Sequence, residues 1–156
     1  MSLCPDRYAT PTDLSADAGV IVGYQYHASR AFRWTEHALW DIGTVPKGVG
    51  VSADGTVLLA NKYGSRRAVW PDWLHPNTVP AYNAHLWQNW ALTDLGSITG
   101  VEGTTCASAI SADGRVVCGG CYTPTLFWEA FRWTAEGGMV GLGAAPGCGG
   151  GTTRPG

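Results

Sequence analysis

The sequence is short of charge. Only 14% of its residues are Asp, Glu, Lys or Arg, against roughly 25% in an average soluble protein. Its net charge of −2 supplies no basic stripe, which excludes a nucleic-acid partner and binding to an anionic membrane surface. No run approaches ~18 consecutive apolar residues, so membrane insertion through a helix is not expected. The segment Met1 to Arg7 lacks the basic and apolar regions of a secretory signal, implying use without Sec export or a place in a longer chain. A sustained 3.6-residue apolar period is missing too, and almost no helix is expected.

Chemical signatures are equally scarce. No Gly-x-Ser-x-Gly elbow, phosphate loop or dinucleotide fingerprint occurs. His27, His37, His75 and His85 are scattered without ligand spacing. Glu36, Asp41, Glu102 and Glu129 supply carboxylates, but no pattern pairs two of them as a glycosidase requires. The sequence thus gives no catalytic residue, no metal site and no cofactor, and the expectation is a protein that is not an enzyme.

What is present is glycine, 22 residues, and tryptophan, 8 residues, a balance suited to tight turns joining large aromatic anchors. These fall into a repeat. Leu14-Ser15-Ala16-Asp17-Ala18-Gly19-Val20, Val51-Ser52-Ala53-Asp54-Gly55-Thr56-Val57 and Ile110-Ser111-Ala112-Asp113-Gly114-Arg115-Val116 are alike. Aligned on glycine, the first carries one inserted residue before Gly19. A second block follows each: Ala31-Phe32-Arg33-Trp34-Thr35, Ala84-His85-Leu86-Trp87 and Ala130-Phe131-Arg132-Trp133-Thr134. Each unit closes on Asp41-Ile42-Gly43, Asp94-Leu95-Gly96 or Gly141-Leu142-Gly143, at 9, 9 and 10 residues from block tryptophan to final glycine.

In Ser-Ala-Asp-Gly the Ser and Asp side chains can bond nearby backbone N–H groups while Gly takes a positive φ, which is turn chemistry. Flanked by short β-branched runs, it reads as a hairpin. Phe and Trp two apart share one face of a strand, with Arg on the other. A second turn at Ala135 to Gly138 precedes a fourth strand, Met139 to Leu142. Each unit is therefore a four-stranded antiparallel meander of about 40–50 residues.

These blocks resemble the HAF repeat, a family found in bacterial surface proteins. The third unit, Ala109 to Gly143, is the close match; the second departs from it at His85-Leu86 and by an insertion. The resemblance implies propeller-like blades and an extracellular setting, and it carries no activity. The expected fold is all-β, with three four-stranded antiparallel blade repeats at about 14–43, 51–96 and 110–143. They form one domain over 1–143, with an insertion at 61–83 and a Gly-rich tail at 144–156. A β-trefoil is the alternative, disfavoured because Ser15 to Ser52 spans 37 residues and Ser52 to Ser111 spans 59. Three blades alone do not complete a ring of four to eight; two chains or a longer parent would.

The insertion holds Arg66, Arg67, Trp70, Trp73 and His75, with Tyr82 at its end. Aromatics on a long loop suit a partner or subunit interface, a plug over an open sheet edge, or the apolar face of a glycan. Asp17, Asp54 and Asp113 recur with the fold, which marks structural turns. Phe32, Trp34, Trp87, Phe131 and Trp133 recur likewise and read as core anchors, and Arg33 and Arg132 as contacts to a neighbouring unit. Cys118-Gly119-Gly120-Cys121, with Cys106, Cys148 and Cys4, points to disulfides ahead of buried thiols or zinc, with Cys4 as the odd thiol suited to an inter-chain bond.

A chain with so little charge has few means of solvating a large surface, which favours cover by partner subunits. The function expected is a non-enzymatic structural or interaction subunit, homo-oligomeric or part of a larger extracellular or virion assembly: a surface layer, filament, decoration or tail protein. The alternative is a glycan-binding module using the Trp-rich 61–83 loop.

Overall fold

The computed structural model describes residues 9–25, 29–44, 47–63, 82–100, 105–122 and 128–143. Among them there are twelve strands and no helix. Blade 1 comprises β1 (Ala9–Leu14), β2 (Val20–Gln25), β3 (Arg30–Thr35) and β4 (Ala38–Thr44). Blade 2 comprises β5 (Lys47–Val51), β6 (Leu58–Tyr63), β7 (Tyr82–Gln88) and β8 (Ala91–Asp94). Blade 3 comprises β9 (Thr105–Ile110), β10 (Val116–Tyr122), β11 (Trp128–Thr134) and β12 (Gly138–Gly141). Each blade is its own antiparallel sheet with strands in chain order. This is the arrangement expected of blades, not of a trefoil.

The Ser-x-Asp turns join the first two strands of every blade. In blade 1 the Ser15 hydroxyl accepts from the Val20 N–H (2.9 Å) and donates to Asp17 Oδ1 (2.7 Å), which accepts from the Gly19 N–H (2.9 Å). Ser52 with Asp54 and Ser111 with Asp113 repeat this arrangement. In all three, five positions separate Ser from Val, and the serine N–H donates to that valine's carbonyl. The apparent insertion before Gly19 is thereby corrected. Ala18 (φ 56°) occupies the positive-φ position held by Gly55 (72°) and Gly114 (73°), and Gly19 aligns with Thr56 and Arg115.

Strand register assigns each side chain a face. Val20 and Val22 lie opposite Thr35 and Arg33, and Ile21 and Gly23 opposite Trp34 and Phe32. We call the Val20/Val22 side the front and the Ile21/Phe32 side the back. The front of blade 1 packs on the back of blade 2, joining Val20, Val22 and Ala31 to Val51, Leu58 and Ala60. The front of blade 2 packs on the back of blade 3, joining Leu59, Ala84 and Leu95 to Val117, Cys121 and Phe131. The middle blade is covered on both faces, which is why Leu58, Leu59, Ala60 and Asn61 are buried in unbroken succession.

Polar links reinforce both junctions. The Ala16 N–H donates to the Ala53 carbonyl (2.9 Å), and the Ala53 N–H to the Ala112 carbonyl (2.8 Å), a ladder running through all three turns. Asp13 accepts from the Val51 N–H (3.0 Å). Asn61 brackets Ala107, its amide donating to the carbonyl and its oxygen accepting from the N–H, both at 2.8 Å. The interior backbone polar groups thus find partners across blades as well as within them.

Candidate functional site

Among the described residues, three blades stacked front to back leave no further blade against two sheet faces: the back of blade 1, where Leu14, Trp34 and Leu39 are exposed while Phe32 and Gln25 are buried, and the front of blade 3. Both carry the residue types that are buried at the junctions. On the front, Val22 and Leu59 are 0% and 1% exposed, whereas their equivalent in blade 3, Cys118, is exposed. Ile42 and Leu95 of the closing motifs pack into the two cores, but their equivalent Leu142 is 60% exposed. On the back, Val51 is buried while Leu14, its equivalent in blade 1, is 56% exposed.

The same contrast sorts the expected core anchors. Phe131 and Phe32 are buried, and Trp87 and Trp133 pack against the two core clusters. Trp34 is 39% exposed. Phe32 is shielded within its own blade, where a Cβ on Gly23 would come within 2.7 Å of its ring. Trp34 lacks the blade that covers its two equivalents. Arg33 reaches the next blade, Nη2 donating to the Gly55 carbonyl at 3.3 Å, while its equivalent Arg132 is exposed on the open front of blade 3.

The three turn aspartates have their carboxyls held below the ordinary value of 3.8. The serine hydroxyl of the same turn is the main cause in each, followed by a backbone N–H at Gly19, Thr56 or Arg115. All three are exposed, and the arrangement stabilises a carboxylate within a turn.

Of the insertion's residues, Arg66, Arg67, Trp70, Trp73 and His75 lie outside the described residues, as do Cys4, Cys148 and the tail at 144–156. Tyr82 is described: it begins β7 and stacks on Tyr63 at the end of β6, ring centroids 5.4 Å apart and planes 21° apart. A further aromatic group escaped the sequence reading. Trp90, 68% exposed, meets Trp40 of blade 1 edge-on at 4.8 Å and Trp87 of its own blade at 5.3 Å. It sits in the β7–β8 turn, where Asn89 and Trp90 both have positive φ, 51° and 64°, a conformation unusual for a bulky side chain.

The expected disulfides are not found among the described cysteines: Cys106, Cys118 and Cys121 carry thiols. Cys118 and Cys121 both lie in β10, so a three-residue offset puts Cys118 on the front and Cys121 on the buried back. Their Cα atoms are about 10 Å apart at ~3.3 Å per residue, beyond the reach of a bridge. The spacing that suggests a knuckle belongs here to a strand. Among the described residues no three His, Cys, Asp or Glu side chains converge as metal ligands.

No protein-family model matches the chain, and no curated protein matches it. Solved structures do. The tricorn protease is similar over 81% of this chain and 13% of its own, with a TM-score of 0.53 at 8% identity. An acylaminoacyl peptidase in complex with a chloromethyl ketone is similar over 87% of this chain and 25% of its own, with a TM-score of 0.51 at 14% identity. The β-propeller domain of the trilobed protease from Pyrococcus furiosus is aligned over 86% of this chain and 56% of its own, with a TM-score of 0.40 at 10% identity. The architecture is propeller-like. At such identities the likeness is one of fold, and the chain spans a minor part of the first two proteins.

Proposed function

We propose that this chain is a non-enzymatic structural subunit that works by association, as part of a larger extracellular or virion assembly. The observation that carries the reading is the pair of open blade faces, apolar at the positions buried between blades. Large exposed apolar faces on a chain with 14% charged residues favour cover by protein partners. The resemblance of Ala109 to Gly143 to a repeat of bacterial surface proteins supports an external setting. The test is native mass by light scattering over a range of concentrations, with and without reductant. A mass above that of one chain is expected; a mass that falls on reduction shows an inter-chain bond, for which Cys4 and Cys148 are the expected ties and the exposed Cys118 a further candidate. A monomer at every concentration overturns the reading.

A second reading, a glycan-binding module, draws support from the exposed Trp40 and Trp90 rings beside Trp87 and from the Tyr63–Tyr82 stack at the root of the Trp-rich insertion. Flat rings of this kind suit the apolar faces of sugars. It expects a saturable shift in tryptophan fluorescence on titration with a glycan panel, lost in Trp90→Ala.

A further inference from the structure

The two internal junctions of this molecule are built the same way, and its two ends are the two halves of a third. At each junction a front of Val20/Val22 or Val57/Leu59 meets a back of Leu58 or Val117. The end of blade 3 offers the same front as Val116, Cys118, Arg132, Val140 and Leu142. The start of blade 1 offers the same back as Leu14, Ile21, Trp34 and Leu39. Leu14 and Leu142 are exposed where their equivalents Val51 and Leu95 are buried, whereas Leu39 and Val140 are exposed at the sheet rim as their counterparts Leu92 and Trp40 are. A single kind of partner covers both ends at once: another molecule with the same pair of ends.

We infer that two copies of this chain associate head to tail, the front of blade 3 in each packing on the back of blade 1 in the other, to close a six-bladed ring. The inference rests on the subunit reading above and names the partner as a second copy. Six blades fall within the range at which propellers close, and a two-fold arrangement satisfies every face without open-ended growth.

The polar contacts of the internal junctions extend across the proposed one. Among the described residues the turn ladder ends at the Ala112 N–H and the Ala16 carbonyl, the donor and acceptor that the next rung needs. Arg132 stands where Arg33 donates to the Gly55 carbonyl, so its acceptor in the second copy is the carbonyl of Ala18.

One position makes this junction different. Gly55 and Gly114 lie against the valine of the preceding blade, so close that a Cβ would come within 2.5 Å of Val20 and 2.8 Å of Val57. The equivalent residue on blade 1 is Ala18, whose methyl group meets Val116 of the second copy. The inter-copy junction therefore opens slightly at this point and is weaker than those within the chain, which makes the ring reversible.

The experiment is sedimentation velocity on the full chain across a dilution series, with Leu14→Glu, Leu142→Glu and Ala18→Gly variants. Positions 14 and 142 are exposed, so circular dichroism spectra like those of wild type, with urea midpoints compared at a dilution where wild type is itself monomeric, serve as the folding control. The wild type is expected at twice the 16.5 kDa chain mass. Leu14→Glu and Leu142→Glu are each expected as monomers, and Ala18→Gly with a lower dissociation constant than wild type. Alkylation of Cys118, read by peptide mass, is expected to slow as concentration rises. A dimer or larger species unchanged in both glutamate variants overturns the head-to-tail contact and leaves the subunit reading standing. Growth past the dimer overturns the closed ring, and a monomer throughout overturns both readings.

Discussion

Single residues decide how tightly one blade meets the next. Glycine at 55 and 114 answers two demands together, a positive φ and the absence of a Cβ against a neighbouring valine. Gly114→Ala is expected to cost about 1–3 kcal/mol in urea unfolding, from left-handed strain plus overpacking. Ala18→Gly, at the same turn position without a described neighbour, is expected to stay within about 1 kcal/mol of wild type. Aligning on glycine concealed this equivalence, since the position is defined by its distance from Ser15 and Val20, not by residue type. The turn aspartates add a pH dependence. Their folded carboxyls titrate below the unfolded value, so the stability they contribute is present above that value and lost as pH falls through the folded one. Stability is expected to be flat near neutrality and to decline as pH falls past the ordinary 3.8. Replacing Asp17, Asp54 and Asp113 by Asn should flatten that decline, as measured by urea midpoints between neutral and acid pH.

At the scale of strands, β6 is the element on which both cores depend. It sends Leu58 and Ala60 toward blade 1 and Leu59 and Asn61 toward blade 3, so no face of it meets solvent until Lys62. Removing the Asn61 amide takes the Oδ1 acceptor from the buried Ala107 N–H and leaves its carbonyl with only the weak Cys106 thiol contact at 3.9 Å. Asn61→Leu is expected to destabilise by roughly 2–5 kcal/mol, with faster exchange of the Ala107 amide marking the site of the loss. The four-stranded meander was legible from the spacing of turn, aromatic pair and closing glycine. The division of aromatics into covered and open was not. Residue alternation puts Phe32 and Trp34 on one face, but whether another blade covers that face is not a property of the strand. The Trp40–Trp87–Trp90 group was hidden for a related reason: two of its rings come from different blades and the third from a turn whose positive φ values no sequence pattern announces.

For the whole molecule, the arc of three blades predicts a gradient of protection. Backbone amides of β6 and β7, covered on both faces of their sheet, are expected to exchange slowest, and those of the outermost strands β1 and β12 fastest. Hydrogen exchange followed by mass spectrometry reads this directly. Association as a ring would flatten the gradient by covering the outer blades, so comparing dilute and concentrated samples adds a second measure of oligomerisation.

The cross-blade links that do not repeat have a consequence for how the chain reaches this arrangement. Units this similar invite misassembly, with a blade docking on the wrong neighbour as the chain folds. Asp13 finds its N–H at Val51, and Asn61 finds its backbone pair at Ala107. The residues equivalent to Asp13 are Gly50 and Ala109, and those equivalent to Asn61 are Tyr24 and Gly120. Each junction therefore has its own key. A stack of blade 1 directly on blade 3 buries similar apolar surface but forfeits the bracket on Ala107, and that difference sorts the correct order from its permutations.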